Sequence, residues 1–350
     1  AVNKTPHPPN NQYTMADAKK LVIRVYFVDD SFKTLAVSPT VPANELCTLV
    51  AEKIELDERE TFALFFYKNG ECRCLDDDEQ PCKLMVYETM GNDADFNKYT
   101  NDRNEWEKLK KEWEKDSKLV YKRRVFLKHK AIPKEQEKFL TYSYIQAVAD
   151  VRDGTYPCSQ SAAIELAGLQ MQVTFGDHNK KIHIAGFLKD KIGRFIPAPL
   201  LQSNRKLEDW ERDIFQEHAR LTNLKKEDAM LHYLHHVRNW SFYGSTFWSV
   251  TTVNKDTASL PDQVVLAVNS NGIQLLKLGT KEPILTQRYA DIYSWAYKRN
   301  AFAFVSGVLS KQKFQFATPH GKDIARTLQA YVEILLEERK REGYRKNFAG

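Results

Sequence analysis

"DVRDGTYPCSQSAAIELAGLQMQVTFGD", residues 150–177, is the stretch on which fold and chemistry both turn. Cys158 follows a proline where a helix begins to read. Ser159 and Ser161 are ordinary helix-start residues. Ile164, Leu166, Leu169 and Val173 mark a largely buried helical face. A thiol at a helix N-terminus can be acidified into a nucleophile. A catalytic thiol also needs a positioned base and an oxyanion site. No arginine lies between Cys158 and Arg194, so a phosphatase-type Cys-x5-Arg is excluded. Cys158 therefore reads as a small packing residue at a structural helix start.

Outward from this stretch, the chain from 133 to about 240 is helical. "EKFLTYSYIQAVADV" precedes it and ends near Gly154. "RKLEDWERDIFQEHARL" carries Leu207, Trp210, Ile214 and Leu221 on one stripe, and "EDAMLHYLHHVRNW" closes the region. Four helices with irregular connections predict a small bundle. His232, His235 and His236 stand at i, i+3 and i+4 but lack the glutamate of H-E-x-x-H, and read as a polar helix face or interlobe packing.

Before the bundle, strands alternate with one clear helix. "LVIRVYFV" and "FKTLAV" flank a polar turn. "PANELCTLVAEKI" opens on a proline suited to a first helical turn, with Leu46, Leu49, Val50 and Ile54 on one face. "FALFFYKNGECRCL" sets Asn69-Gly70 between two strand-like runs, a type I′ hairpin signal. Strand, strand, helix, strand, strand predicts a ubiquitin-like roll. "NDRNEWEKLKKEWEKDSK", with Trp106, Leu109 and Trp113 on one stripe, reads as an insertion helix. "LVYKRRVFL" then supplies the closing strand. Cys72, Cys74 and Cys82 lack the paired knuckles and fourth ligand of a structural zinc site.

After the bundle, "VVLAVNSNGIQLLKL" predicts a second Asn-Gly hairpin. "DIYSWAYK", "AFAFVSG" and "KFQFA" alternate at period two. "GKDIARTLQAYVEILLEERKR" is an amphipathic helix with Ile324, Leu328, Tyr331 and Leu335 on one face. Antiparallel strands capped by one C-terminal helix predict a barrel of the pleckstrin/phosphotyrosine-binding (PH/PTB) kind.

These three lobes, in this order, resemble a FERM domain. "GTYPCSQSAAIELAGLQMQVTFGD" is similar to the start of that family's second lobe. "HYLHHVRNWSFYGSTFWSV" is similar to its passage from bundle to barrel, with Trp240, Tyr243, Gly244 and Phe247 in the matching places. Within the family, "DDSFKTLAVSPTVPANELCTLVAEKIEL", "KLVYKRRVFL", "LAVNSNGIQLL" and "YADIYSWAY" resemble the MyTH4-FERM type of unconventional myosin tails. In those tails a helical tail-homology domain directly precedes the FERM domain, where this sequence has a short polar leader. The insertion also departs from the compact family pattern.

The resemblance implies an α+β clover: a ubiquitin-like roll, a four-helix acyl-CoA-binding-like bundle and a PH/PTB-like barrel. The expected limits are a polar leader over 1–19, a first lobe over 20–130 with an insertion at about 91–117, a helical lobe over 131–243, a third lobe over 244–342 and a tail over 343–350.

Composition bounds the function. The 350 residues are 42% hydrophobic and 28% charged, enough for real cores, and no apolar run approaches bilayer length. Five cysteines without framework spacing suggest a reducing, intracellular setting. The net charge of +6 suits acidic partners but is too evenly mixed to argue for nucleic acid. No phosphate loop, nucleophile elbow or kinase set occurs, so no catalytic, cofactor or metal residues are assigned.

By resemblance, the chain is a non-enzymatic module at the cytoskeleton and inner face of the plasma membrane. It would bind a protein partner or cargo peptide, or the motor or tail of its own chain. The alternative is an ezrin- or talin-like linker dominated by phosphoinositide contact. A peptide groove is expected between "DIYSWAYK" and the C-terminal helix, bordered by Ile292, Ser294, Trp295 and Tyr297 and by Arg326, Gln329 and Glu333. Lys122, Arg124, Lys311 and Lys313 are the expected contacts to an anionic phosphoinositide membrane, by clustering in sequence.

Overall fold

The computed structural model describes residues 20–128, 130, 132–253, 260–307 and 310–348, with side chains as far as Arg341. The expected leader over 1–19 lies outside the described residues. All three expected lobes are present.

In the first lobe, β1 (Leu21–Tyr26) and β2 (Phe32–Val37) pair from Leu21↔Val37 to Tyr26↔Phe32. Alternation buries Leu21, Ile23 and Val25 against α1 (Ala43–Lys53), which turns in Leu46 and Val50. β3 (Phe62–Lys68) and β4 (Glu71–Cys74) close at Lys68↔Glu71. Asn69 (φ 50°) and Gly70 (φ 85°) both take the left-handed conformation that a type I′ turn requires. Then come α2 (Pro81–Met90), α3 (Phe96–Asn101), α4 (Arg103–Trp113) and β5 (Ser117–Arg123). β5 enters the middle of the sheet, parallel to β1 and antiparallel to β3, giving the order β2-β1-β5-β3-β4.

The expected insertion helix is α4, but it is no appendage. Trp106, Leu109 and Trp113 are buried in the same core as the sheet. The Trp106 indole N–H donates to the Val22 carbonyl at 3.1 Å, and Trp113 stacks on Phe66 with ring centroids 5.1 Å apart.

The helical lobe comprises α5 (Glu137–Arg152), α6 (Gln160–Phe175), a single-turn α7 (Ala198–Leu201), α8 (Leu207–Arg220) and α9 (Lys226–Arg238). α6 packs against both α8 and α9. At Gly168 a Cβ would lie 2.9 Å from Cβ of Glu217, so glycine lets α8 approach α6 closely. The long connection after α6 is pinned by the buried Glu211 carboxylate, which accepts the Gly186 and Leu188 N–H groups, each at 2.6 Å.

The third lobe is one sheet of β6 (Thr246–Thr252), β7 (Gln263–Asn269), β8 (Gly272–Lys277), β9 (Pro283–Arg288), β10 (Ile292–Lys298), β11 (Ala301–Ser306) and β12 (Gln312–Ala317), capped by α10 (Gly321–Phe348). The order is β10-β11-β12-β6-β7-β8-β9, with antiparallel neighbours throughout. Phe302, Phe304, Phe314 and Phe316 form its core beneath Ile324, Leu328 and Tyr331 of α10. The expected hairpin joins β7 to β8, but Asn269 pairs with Gly272, so Ser270 and Asn271 form the tip. Gly272 sits beyond it, where a Cβ would collide with the Gln287 carbonyl of β9. α10 continues to Phe348, through most of the residues expected as a tail.

The lobes meet at Gly244. Its N–H donates to the Tyr156 hydroxyl at 3.0 Å, and its carbonyl accepts the Tyr331 hydroxyl at 2.8 Å. The Tyr331 oxygen in turn accepts the Phe126 N–H at 3.3 Å. Residues of all three lobes thus converge on one backbone unit.

Candidate functional site

Among the described residues β10 has one strand neighbour, β11, and ends the sheet beside α10. A bulge between Ile292 and Ser294 resets the alternation. Ile292, Trp295 and Tyr297 stand opposite the buried Ser306, Phe304 and Phe302, which places all three on the α10 side of the sheet. Ile292 and Trp295 pack on the core, whereas Tyr297 remains 49% exposed beside the start of α10. Ser294 pairs with Val305 and points to the opposite face. Of the expected strand residues, three therefore share a face and Ser294 corrects to the other.

The helix margin is also corrected. Arg326 donates to the Cys74 carbonyl at 3.1 Å and the Leu75 carbonyl at 2.7 Å, and pairs with Asp76 at 2.7 Å, all in the first lobe. Glu333 lines a cleft against α1 and β3. Arg326 thus lies on the flank of α10 that holds the first lobe, whereas Glu333 is exposed and accepts the Gln329 side-chain amide at 2.8 Å. Helical spacing from Gly321, whose backbone abuts Tyr297, puts Ala325, Val332 and Leu336 on the stripe beside β10, with the exposed Gln329 at its margin. Leu336, 50% exposed further along that stripe, and Tyr293, 54% exposed on β10, are apolar groups that sequence spacing missed.

The four expected lipid contacts fall on two lobes. Lys122 lies in an interlobe cleft of about 550 Å³, where its ammonium donates to the Tyr67 hydroxyl at 2.7 Å and sits 4.4 Å over the Phe65 ring. Burial pushes the Tyr67 phenol up to about 12. Arg124 donates to the Arg326 carbonyl and so joins the first lobe to α10. These two are interlobe contacts: Lys122 faces the cleft between lobes, and Arg124, just beyond β5, reaches across to α10. Lys311 and Lys313 are exposed at the start of β12, with Lys311 4.2 Å over the Tyr293 ring. The far wall of the cleft carries Asp150, which accepts the Tyr156 hydroxyl at 3.3 Å and is pushed up to about 6 by burial.

Cys158 packs with the cluster between α6 and α8, and burial pushes its thiol up to about 11. Ser159 caps α6 by accepting the Ala162 N–H at 3.2 Å. A thiol so shifted is not poised as a nucleophile at neutral pH. His232, His235 and His236 lie exposed along α9. Cys72, Cys74 and Cys82 are not among the side chains that come together as candidate metal ligands within the described residues. No helix of the described residues is long and apolar enough to cross a membrane.

Residues 132–248 match the FERM central domain, residues 247–336 the PTB domain of the IRS-1 type, and residues 19–125 an RA like domain. Among curated proteins, Talin of Oscarella pearsei is 26% identical over 91% of this chain and 12% of its own length. Kinesin-like protein KIN-14I of Oryza sativa subsp. japonica is 27% identical over 93% of this chain and 26% of its own. Myosin-VIIa of Drosophila melanogaster is 22% identical over 95% of this chain and 15% of its own. The chain thus spans between 12% and 26% of the length of these relatives. Among solved structures, the FERM and C-terminal domain complex of Drosophila Merlin aligns with TM-score 0.70 at 17% identity, over 92% of this chain and 98% of that one. The human Myosin 7b C-terminal MyTH4-FERM domain, in complex with the harmonin-a PDZ3 domain, aligns with TM-score 0.66 at 20% identity, over 91% of this chain and 61% of that one.

Proposed function

We propose that this chain, a FERM module of ubiquitin-like, helical and PTB-like lobes, is a non-enzymatic adaptor that captures an extended segment of a protein partner along β10. The observation that carries this is the open edge of β10 beside α10, with the exposed Tyr293 and Tyr297 on the strand and the exposed Leu336 further along α10. An extended peptide can complete such an edge by strand addition, with side-chain pockets supplying selectivity. The wider setting is a myosin-tail-like protein that links actin-based motility to membrane or adhesion proteins. The likeness to Myosin-VIIa and to the partner-bound Myosin 7b domain supports that setting.

Because Ser294 faces away, the informative block is Tyr297→Arg with Leu336→Arg, two charges on the α10 side. Partner affinity should fall by about 2 kcal/mol or more, roughly thirtyfold, while cooperative unfolding persists. The measurement is a titration of the folded double variant against a partner first captured by the unaltered chain. Unchanged affinity, with the partner crosslinking to the first or second lobe, would remove β10 from the site.

A second reading is favoured by Lys311 over Tyr293, beside Lys313: a basic, aromatic patch suited to an anionic phosphoinositide headgroup. Binding to phosphoinositide vesicles should weaken with salt and drop roughly thirtyfold or more in Lys311→Glu/Lys313→Glu, since each cation near such a surface contributes about 1 kcal/mol. Vesicle binding indifferent to both changes would leave the peptide edge as the operative surface.

A further inference from the structure

We propose that His178, His183 and His218 of the helical lobe form a site for one divalent transition-metal ion of the zinc class. One ring nitrogen from each lies within 4.8 Å of the other two. The rings come from the α6–α8 connection and from α8, so the site would tie that connection to the bundle.

The tautomer of His218 points the same way. Its Nε2 lies 2.7 Å from the Gly176 carbonyl, which can only accept, so Nε2 carries the proton and Nδ1 keeps its lone pair. That Nδ1 is buried and meets no hydrogen-bond partner among the described residues, and the side chain is 0% exposed. An N–H to a backbone carbonyl is the usual outer support of a metal-bound imidazole. Nδ1 of His178 is likewise buried without a partner. Leaving such a polar atom unsatisfied costs stability that a ligand would recover. Gly168 contributes by letting α8 come close enough for His218 to reach the end of α6.

His183 is the adaptable third member. Its Nδ1 accepts the Asn179 N–H at 3.0 Å, a bond this ring gives up or reorients to join the cation. Phe175, Phe187 and Phe215 pack on the rings, which favours neutral imidazoles, the form that binds metal. Burial holds both His183 and His218 below the usual histidine range. In a tetrahedral site with Zn–N near 2.0–2.1 Å, ligand nitrogens stand about 3.4 Å apart. The rings must therefore draw together by about an ångström, which small side-chain rotations supply. His178, only partly buried, leaves one side to solvent, so water would take the fourth position.

The test uses the whole chain, stripped with a chelator, its thiols blocked by alkylation, and titrated with Zn²⁺ or Co²⁺. One saturable equivalent is expected, with a rise in melting temperature and a Co²⁺ absorption spectrum of tetrahedral nitrogen ligation. His178→Ala should weaken this binding by more than about 100-fold, beyond the 10- to 100-fold of an outer-support change. His232→Ala/His235→Ala should leave it intact. Should His178→Ala fold poorly, His178→Gln and metal-induced shifts of the histidine ring ¹⁵N signals give the same answer. No saturable equivalent, or an equivalent that persists in the His178 variants, would overturn the proposal.

Discussion

Gly244→Ala is expected to cost about 2–5 kcal/mol and to loosen the three lobes from one another. Gly244 has φ +71°, where an alanine loses about 1–2 kcal/mol to the contact of Cβ with its own backbone. The added Cβ would also lie 2.7 Å from Cγ of Phe126. Relieving such overpacking costs about 1–3 kcal/mol more. The Phe126 ring cannot yield freely, since it packs edge-on against Tyr243 with centroids 5.4 Å apart and beneath the Arg123 guanidinium at 4.6 Å. A shift at Gly244 also strains its bonds to Tyr156 and Tyr331. The unaltered chain should therefore unfold in closely coupled steps, and the variant should show an earlier, separated transition in calorimetry. A variant that melts as one unit at the original temperature would show that the lobes are not joined through this residue.

Trp106→Ala should cost about 3–5 kcal/mol in urea unfolding, the range of large buried aromatics. Trp106 is 1% exposed, and its removal also leaves the Val22 carbonyl without its indole donor. Lys108→Ala, on the exposed face of the same helix, should stay within about 0.5 kcal/mol. If Trp106→Ala costs less than about 1 kcal/mol, α4 is peripheral to the first lobe after all.

The three lobes were legible because their signals are local. Asn69-Gly70 dictates its turn by backbone preference alone, and the β1 and α10 stripes follow their own periods. α2 was not legible: "PCKLMVYETM" buries Pro81, Cys82, Leu84, Met85 and Val86, a near-continuous apolar run without a helical stripe. The β10 edge was legible as a strand but not as a surface. One extra residue at the bulge turned Ser294 to the other face, and no alternation count reveals a bulge. Arg326 turns to the first lobe instead, because an amphipathic helix shows which side is apolar, not which neighbour takes each polar side. The histidine cluster was invisible for a further reason. His178 and His183 are five residues apart, but His218 arrives from the next long helix, so only packing brings it near.

The two joints of α10 differ in kind. Toward the first lobe, Arg326 and Lys322 converge on the Asp76 carboxylate, which they hold below the usual carboxylate range against the opposing effect of burial. Toward the second lobe, contact runs through the Tyr331 and Tyr156 hydroxyls and the Gly244 backbone, all neutral. Counterions compete for the first kind of bond and ignore the second. The first lobe's hold on α10 is only partly ionic, since Val125 and Leu127 also enter the third lobe's core and the Phe126 N–H donates to Tyr331. Ionic strength, or an acidic molecule competing for Arg326 and Lys322, weakens the ionic share of the first lobe's joint and leaves its apolar share and the neutral clasp to the second lobe in place. A neutral binder has no such lever.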